Sequence, residues 1–259
     1  MSSNLPRGLA ILELLSRNVD GLPLHAIAEP LQIPRSAAHR VLAELTTAGF
    51  VRQEGELMPY RLTLKLATLG MAYLNESGIA EVVQPVLNRL AAATSELARM
   101  SVVDGERLVW VAKAQGARGG LRYDANSDPG EEVRLFCSSN GQAWLAALTD
   151  ERALHMVMKQ GFNPEAYGPN APKTITEFLA CLAEGRRKGY SDVHESYEVG
   201  SAAIAAPVWN AKHTMVIGSV SVAGPEARMK AERMPELGAL VMSAAEELSV
   251  LSVGIRAQT

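Results

Sequence analysis

The sequence predicts an α+β protein in two parts joined by a helix, and three observations carry that reading. Residues 1–65 read as three short helices followed by two short extended pieces, the outline of a winged helix-turn-helix. A further helical stretch over 63–75 then stands between that unit and the remainder. From residue 97 onward, strand-like runs alternate with amphipathic helices, as in helices packed on a mostly antiparallel sheet.

In the first unit, Leu9, Leu12 and Leu15 recur at helical spacing and Ile11 and Leu14 widen the stripe; Asn18 and Gly21 stop the helix. A second helix places Leu24, Ile27, Ala28 and Leu31 at i, i+3, i+4 and i+7. The third begins near Pro34, a residue suited to a helix's first turn, and ends near Gly49. Only about two residues separate the second helix from the third on this reading. The extended pieces 50–53 and 57–62 follow, joined around Glu54-Gly55-Glu56. Over 63–75, Leu64, Leu66, Ala67, Leu69 and Met71 give the linker helix, punctuated by Gly78. The expected domains are therefore 1–62, a linker 63–78, and 79–259.

Beyond the linker, Val82, Val83, Val86, Leu87 and Leu90 mark an amphipathic helix. The β-rich runs 97–103 and 107–112 are separated by Asp104-Gly105, a strong hairpin signal. Helices are expected at 141–148 and 151–159. Thr174-Ile-Thr-Glu177 is a capping box opening a helix that ends at Gly189. Strands are expected at 204–209 and 215–222, and Pro235 opens a last helix bearing Leu237, Leu240, Val241, Ala244 and Leu248.

Composition narrows the function classes. With 259 residues, 47% hydrophobic and 20% charged, the chain has ample apolar material for folded cores. A net charge of −3 gives no sign of a polybasic partner. Cys137 and Cys181 form no CxxC and no His pair has ligand spacing, so neither a metal site nor a disulfide framework is expected. The longest uncharged run, 135–149, is too short and too polar to span a bilayer. No signal peptide is visible, and a reducing, cytoplasmic location without a membrane partner is expected. Enzyme motifs are missing as well: Gly218-Ser219-Val220-Ser221-Val222 is not GxSxG, and neither a Walker loop nor GxGxxG occurs. No catalytic residue and no cofactor are assigned. An enzyme, or a protein-interaction module, carrying a helix-turn-helix remains the alternative to a regulator.

The third helix carries the chemistry. Ala38, Val41, Leu42 and Leu45 form its apolar face, and Arg35, Ser36, His39, Arg40 and Ala43 the opposite one. Arg35 and His39, and Ser36 and Arg40, are four apart and project together. A helix in the major groove needs arginine for guanine edges or phosphates, serine and histidine for base edges, and small residues such as Ala37 at close approach. Arg52 and Arg61 flank the hairpin, where a wing can reach the backbone or the minor groove. The same face also reads as an ordinary solvated surface. Residues 1–65 are net +1 and the rest net −4, so phosphate contact requires spatial segregation of the basic groups.

The runs Arg7-Gly-Leu-Ala-Ile-Leu-Glu-Leu-Leu15, Gly21-Leu-Pro-Leu24 and Leu31-Gln-Ile-Pro-Arg-Ser-Ala-Ala-His-Arg-Val-Leu42 resemble the IclR-type bacterial transcriptional regulators. The later Gly189-Tyr190, Glu195, Gly200, Ala205-Ala206-Pro207-Val208 and Ser219-Val-Ser-Val-Ala-Gly-Pro225 match in the same order, so the resemblance covers nearly the whole chain. It implies a ligand-responsive regulator with a winged-helix DNA-binding domain, a linker helix and a GAF-like effector-binding domain, binding operator DNA as a homodimer or dimer of dimers.

For the second domain, Ser138-Ser139-Asn140-Gly141 stands before a helix, where free N–H groups and the dipole favour an anion. Ser219 and Ser221 share one strand face. Plain N-caps and small core residues explain the same serines. The resemblance implies an effector site of Ser139, Asn140, Gly141, Val193, His194, Ala203, Ser219 and Ser221. Val193 stands where effector-binding members often carry Asp, and Ala203 where they often carry Cys. The family's Gly-Lys-Ala is here Gly141-Gln142-Ala143. Losing an acid and gaining room points to a carboxylate-like effector larger and more apolar than a short keto acid, such as an aromatic acid. Trp110, Met100 and Tyr123 are further lining candidates.

Overall fold

A computed structural model describes residues 4–55, 58–76, 79–116, 122–123 and 130–251. The chain divides into two compact units, 1–76 and 77–259.

In the first unit, α1 (Asn4–Ser16), α2 (Leu24–Ala28) and α3 (Arg35–Thr47) precede β1 (Val51–Arg52) and β2 (Arg61–Leu62), with α4 (Lys65–Glu76) after them. The core forms where three helical stripes meet: Ile11, Leu12 and Leu15 of α1, Ile27 of α2, and Val41 and Leu42 of α3, closed by Val51 and Tyr60. The connection between α2 and α3 is longer than the sequence pattern suggests. Leu31 lies outside α2, and six residues, 29–34, make the turn. Gln32 adopts a left-handed φ of 52° there, and Ile33 N–H returns to the Ala28 carbonyl at 3.1 Å. A hydrophobic period alone cannot see such a reversal. The wing is short: Val51 pairs with Leu62 and Arg52 with Arg61. Gly21, at φ +82°, is held by geometry, since a Cβ would meet the Tyr60 carbonyl oxygen at 2.6 Å. On α4, Leu64 before its first turn and Leu69, Met71 and Tyr73 within it are each more than half exposed.

The second unit is a five-stranded antiparallel sheet in the order β4-β3-β7-β6-β5, built from β3 (Leu97–Asp104), β4 (Arg107–Gln115), β5 (Ser191–His194), β6 (Ser201–Trp209) and β7 (Val216–Pro225). The Asp-Gly signal is a tight hairpin, Asp104 opposite Arg107, with Gly105 at φ +62°. Strand β5 was not legible, being four residues of mixed polarity. Strands β6 and β7 extend beyond their expected 204–209 and 215–222, through small residues that carry little β signal.

Alternation splits the sheet into two faces. Ala98, Met100, Val220, Val222, Ile204 and Ala206 pack against α5 (Ile79–Thr94) and α9 (Met234–Leu251). Arg99, Ser101, Ser219, Ser221 and Ala203 alternate with these and belong to the other face. That side carries α6 (Ser139–Ala146), α7 (Asp150–Gln160) and α8 (Ile175–Lys188), with a core around Trp110, Phe136, Trp144, Leu145, Phe178 and Leu182. The Thr174 hydroxyl accepts from Glu177 N–H, while the Glu177 carboxylate accepts from Lys173 N–H rather than from the cap residue itself. Gly189 at φ +81° ends α8. No described helix is long and apolar enough to cross a membrane. No group of three or more His, Cys, Asp or Glu able to hold a metal occurs among the described residues.

Candidate functional site

On α3, Arg35, Ser36, His39 and Arg40 are exposed and Ala37 is half-buried, while Ala38, Val41 and Leu42 are in the core. The helix therefore presents the polar face that its 3.6-residue period assigns. Arg40 donates to Asn4 Oδ1 at 3.3 Å, and Asn4 Nδ2 to Glu44 at 2.9 Å, a contact chain on the exposed surface. Arg52 and Arg61 stand opposite each other across the two-stranded ribbon. Arg52 pairs with Glu54 at 3.0 Å with both side chains more than half exposed. Arg61 is half-buried and its Nε donates to the Asp20 carbonyl at 2.8 Å. Arg61 is thus partly committed to holding the turn before α2.

In the second unit a cleft opens over the α6 side of the sheet, lined by Arg99, Trp110, Tyr123, Arg134, Ser139, Asn140, Val193, Tyr197, Ala203 and Ala223, among others. Of the eight expected effector residues, Ser139, Asn140, Val193 and Ala203 line it, and so do Trp110 and Tyr123. Gly141, His194, Ser219 and Ser221 do not, and Met100 faces the opposite core. The reasons differ. Gly141 lies inside α6, whose first turn starts two residues before the expected 141, and a Cβ there would meet the Leu135 carbonyl oxygen at 2.3 Å. His194 faces the Glu226 carboxylate, Nδ1 to Oε1 at 3.0 Å. Ser219 belongs to a buried knot. Asn140 Nδ2 donates to Ser219 Oγ at 2.9 Å and Ser101 Oγ at 3.2 Å, and the two hydroxyls are 2.8 Å apart. Ser221 is fully buried and its hydroxyl has no hydrogen-bond partner among the described residues.

The N-terminus of α6 is capped by Ser138. Ser138 Oγ accepts from Gly141 N–H at 3.1 Å and also contacts the Arg134 carbonyl. All eight residues of α6 are buried, which is why its sequence carries no charge.

Arg99 is the functional candidate that sequence reasoning missed. It is 8% exposed, its guanidinium lies 4.0 Å from the Trp110 ring centroid, and it lies 6.0 Å from that of Tyr123. Burial lowers its pKa, with Tyr123 and Tyr197 opposing the shift. Burial also pushes the Tyr123 hydroxyl up to about 12, with Arg99 opposing and Glu198 adding to the rise. Tyr123 thus stays a neutral donor, reaching Glu198 at 3.3 Å. The signal in the sequence was an arginine at the centre of the run Leu97-Ala-Arg-Met-Ser101, on the strand face later covered by α6.

Val193 and Ala203 share the lining with the larger Arg99, Trp110 and Tyr197, and the space open to the centre of a water-sized group is about 30 Å³.

Comparison with known proteins fits both units. Residues 5–55 match the IclR helix-turn-helix domain and residues 71–250 match the bacterial transcriptional regulator IclR C-terminal domain. The chain belongs to the IclR family. It is similar to the transcriptional repressor IclR of Escherichia coli (strain K12), 28% identical over 98% of this chain and 91% of that one. In fold it is similar to an IclR transcriptional regulator from Alicyclobacillus acidocaldarius, with TM-score 0.81, 24% identity, and 97% and 99% of the two chains covered. It is likewise similar to an IclR homolog from Microbacterium hydrocarbonoxydans complexed with 4-hydroxybenzoate, with TM-score 0.79, 20% identity, and 98% and 99% covered. As an IclR-family member, the chain is a ligand-responsive, DNA-binding transcriptional regulator and not an enzyme.

Proposed function

We propose that α3 is the recognition helix and that Arg35, Ser36, Ala37, His39 and Arg40 meet the major groove, with Arg52 and Arg61 on the adjoining backbone. The observation that supports this is the outward grouping of four polar side chains on one exposed face of α3. A homodimer, or a dimer of dimers, reads a two-fold operator whose half-sites mirror the protein's symmetry. The exposed Leu64, Leu69, Met71 and Tyr73 of the α4 segment give such an assembly an apolar surface to cover. The regulator acts in the cytoplasm on a catabolic operon.

The effector is a small carboxylic acid, an aromatic one by preference, held in the cleft by Ser139, Asn140, Val193 and Ala203. Aromatic walls at Trp110, Tyr123 and Tyr197 favour a planar ligand, and the Microbacterium relative's complex with 4-hydroxybenzoate supports the choice. Binding changes DNA affinity only by favouring one arrangement of the two units, and α4 is the covalent route between them.

Two measurements test the reading. Affinity for an operator selected from random duplexes should fall steeply with salt; salt-independent binding overturns the DNA interface. Calorimetry should rank aromatic acids above glyoxylate and pyruvate, and the reverse order refutes the aromatic preference.

A further inference from the structure

The second unit treats its two buried charges on β3 and its approach differently. The carboxylate of Glu96, 1% exposed, accepts from Arg228 Nε at 2.6 Å and Nη2 at 2.7 Å, with Arg233 at 3.9 Å. Three residues on, Arg99 makes no hydrogen bond and no ion pair among the described residues, and its Nε is buried without a partner. Two more unpartnered buried atoms, Asn140 Oδ1 and Ser221 Oγ, belong to the same region: Asn140 lines the cleft with Arg99, and Ser221 is Arg99's cross-strand neighbour.

Isolated buried charges are costly and are normally paired. A guanidinium cannot shed its proton to escape that cost. The carboxylate at the cleft that could neutralise it, Glu132, is engaged instead with Gln160 Nε2 at 2.7 Å. The guanidinium carbon lies over the Trp110 ring, 4.0 Å from its centroid. A ring contact uses the face of the guanidinium and not its N–H groups, which suit a two-pronged acceptor.

We propose that Arg99 supplies the counter-charge for the effector's carboxylate and makes the site selective for anions over neutral isosteres. This rests on the reading of the cleft as the effector site. Asn140 Oδ1, on the cleft lining, adds acceptor capacity, so a carboxylate bearing a donor such as a hydroxyl or amide satisfies more of the site than a bare one. Arg99 is a specificity-determining residue here, distinct from the α6 N-terminus, which any polar group can use.

The test uses the full-length protein, calorimetry and thermal unfolding, with benzoate, pyruvate and benzamide as probes. In the unmodified protein, a carboxylate should bind about a hundredfold more tightly than benzamide. Arg99→Met should bring the carboxylate down to the benzamide level. Its ligand-free Tm should match or exceed that of the unmodified protein, because a buried charge with no ion-pair partner among the described residues has been removed. Arg99→Lys, which keeps the charge and loses the fork, should fall between. Equal binding of benzamide and benzoate, failure of both carboxylates to bind, or carboxylate binding by Arg99→Met within threefold of the original overturns the proposal. Ala203→Trp, which fills the cleft, separates the two readings. If it abolishes carboxylate binding while Arg99→Met does not, the cleft stands and the role of Arg99 falls; if neither variant loses binding, both fall.

Discussion

Along α3 the arginines, serine and histidine proposed to meet DNA stand in solvent, whereas Arg99 and Asn140 of the cleft, and Ser221 on the same sheet face as Arg99, are shut away from it. The exposed set costs the fold nothing to maintain, because water satisfies each group until DNA replaces it. The buried set carries a standing desolvation cost that only a matching ligand offsets. Substitutions should therefore separate cleanly. On α3 they should change binding and leave stability alone. Around the cleft they should change both, and the sign of the stability change reports whether the lost group was satisfied.

The sharpest way to break that division is Gly141→Ala. The added methyl would press on the backbone of Arg134 and Leu135, so we expect a loss of about 3 kcal/mol or more in unfolding free energy. Chemical denaturation measures it, and a stable variant would mean that the start of α6 can shift freely. Arg40→Ala should weaken operator binding by about a hundredfold in a dimer while effector binding stays intact. Anisotropy titration at fixed salt reads this, and an unchanged affinity would show that the assigned face of α3 is wrong.

Asn140→Ala, which strips Ser101 and Ser219 of their shared amide, should cost about 2 kcal/mol, the opposite sign from Arg99→Met. A Tm that rises in both variants would dissolve the distinction between satisfied and unsatisfied groups. The mildest effect concerns Cys137. Burial pushes its thiol from 9.0 up to about 12. Below pH 9 the thiol is neutral folded or unfolded, and above it the unfolded chain alone ionises. Stability should thus decline as pH rises from 9 toward 12, and Cys137→Ala should flatten that slope. Thiol reagents at pH 8 should label Cys181, half-buried, before Cys137.

Much of this was legible in the sequence because it is written in local periods. The stripe Ala38, Val41, Leu42 fixes which side of α3 faces out, and Thr174 with Gly189 brackets α8 correctly. The six-residue turn before α3 was missed because it depends on Gln32 in a left-handed conformation, which no apolar spacing signals. Half of the effector set was placed in the cleft. The other half failed to line it for tertiary reasons: Ser219 is bound within a knot from three elements, and His194 is engaged by Glu226. Arg99 is not legible in the sequence because its meaning lies in having no ion-pair partner among the described residues, and a missing partner has no residue of its own to read.

The wing has a consequence for nucleic-acid binding. Arg52 and Arg61 are directly opposed on strands of only two residues each, Arg52 eased by Glu54 and Arg61 held on the Asp20 carbonyl. If the wing meets DNA as proposed, a phosphate between the two guanidinium groups would bridge them and brace this two-residue pairing while the duplex is bound.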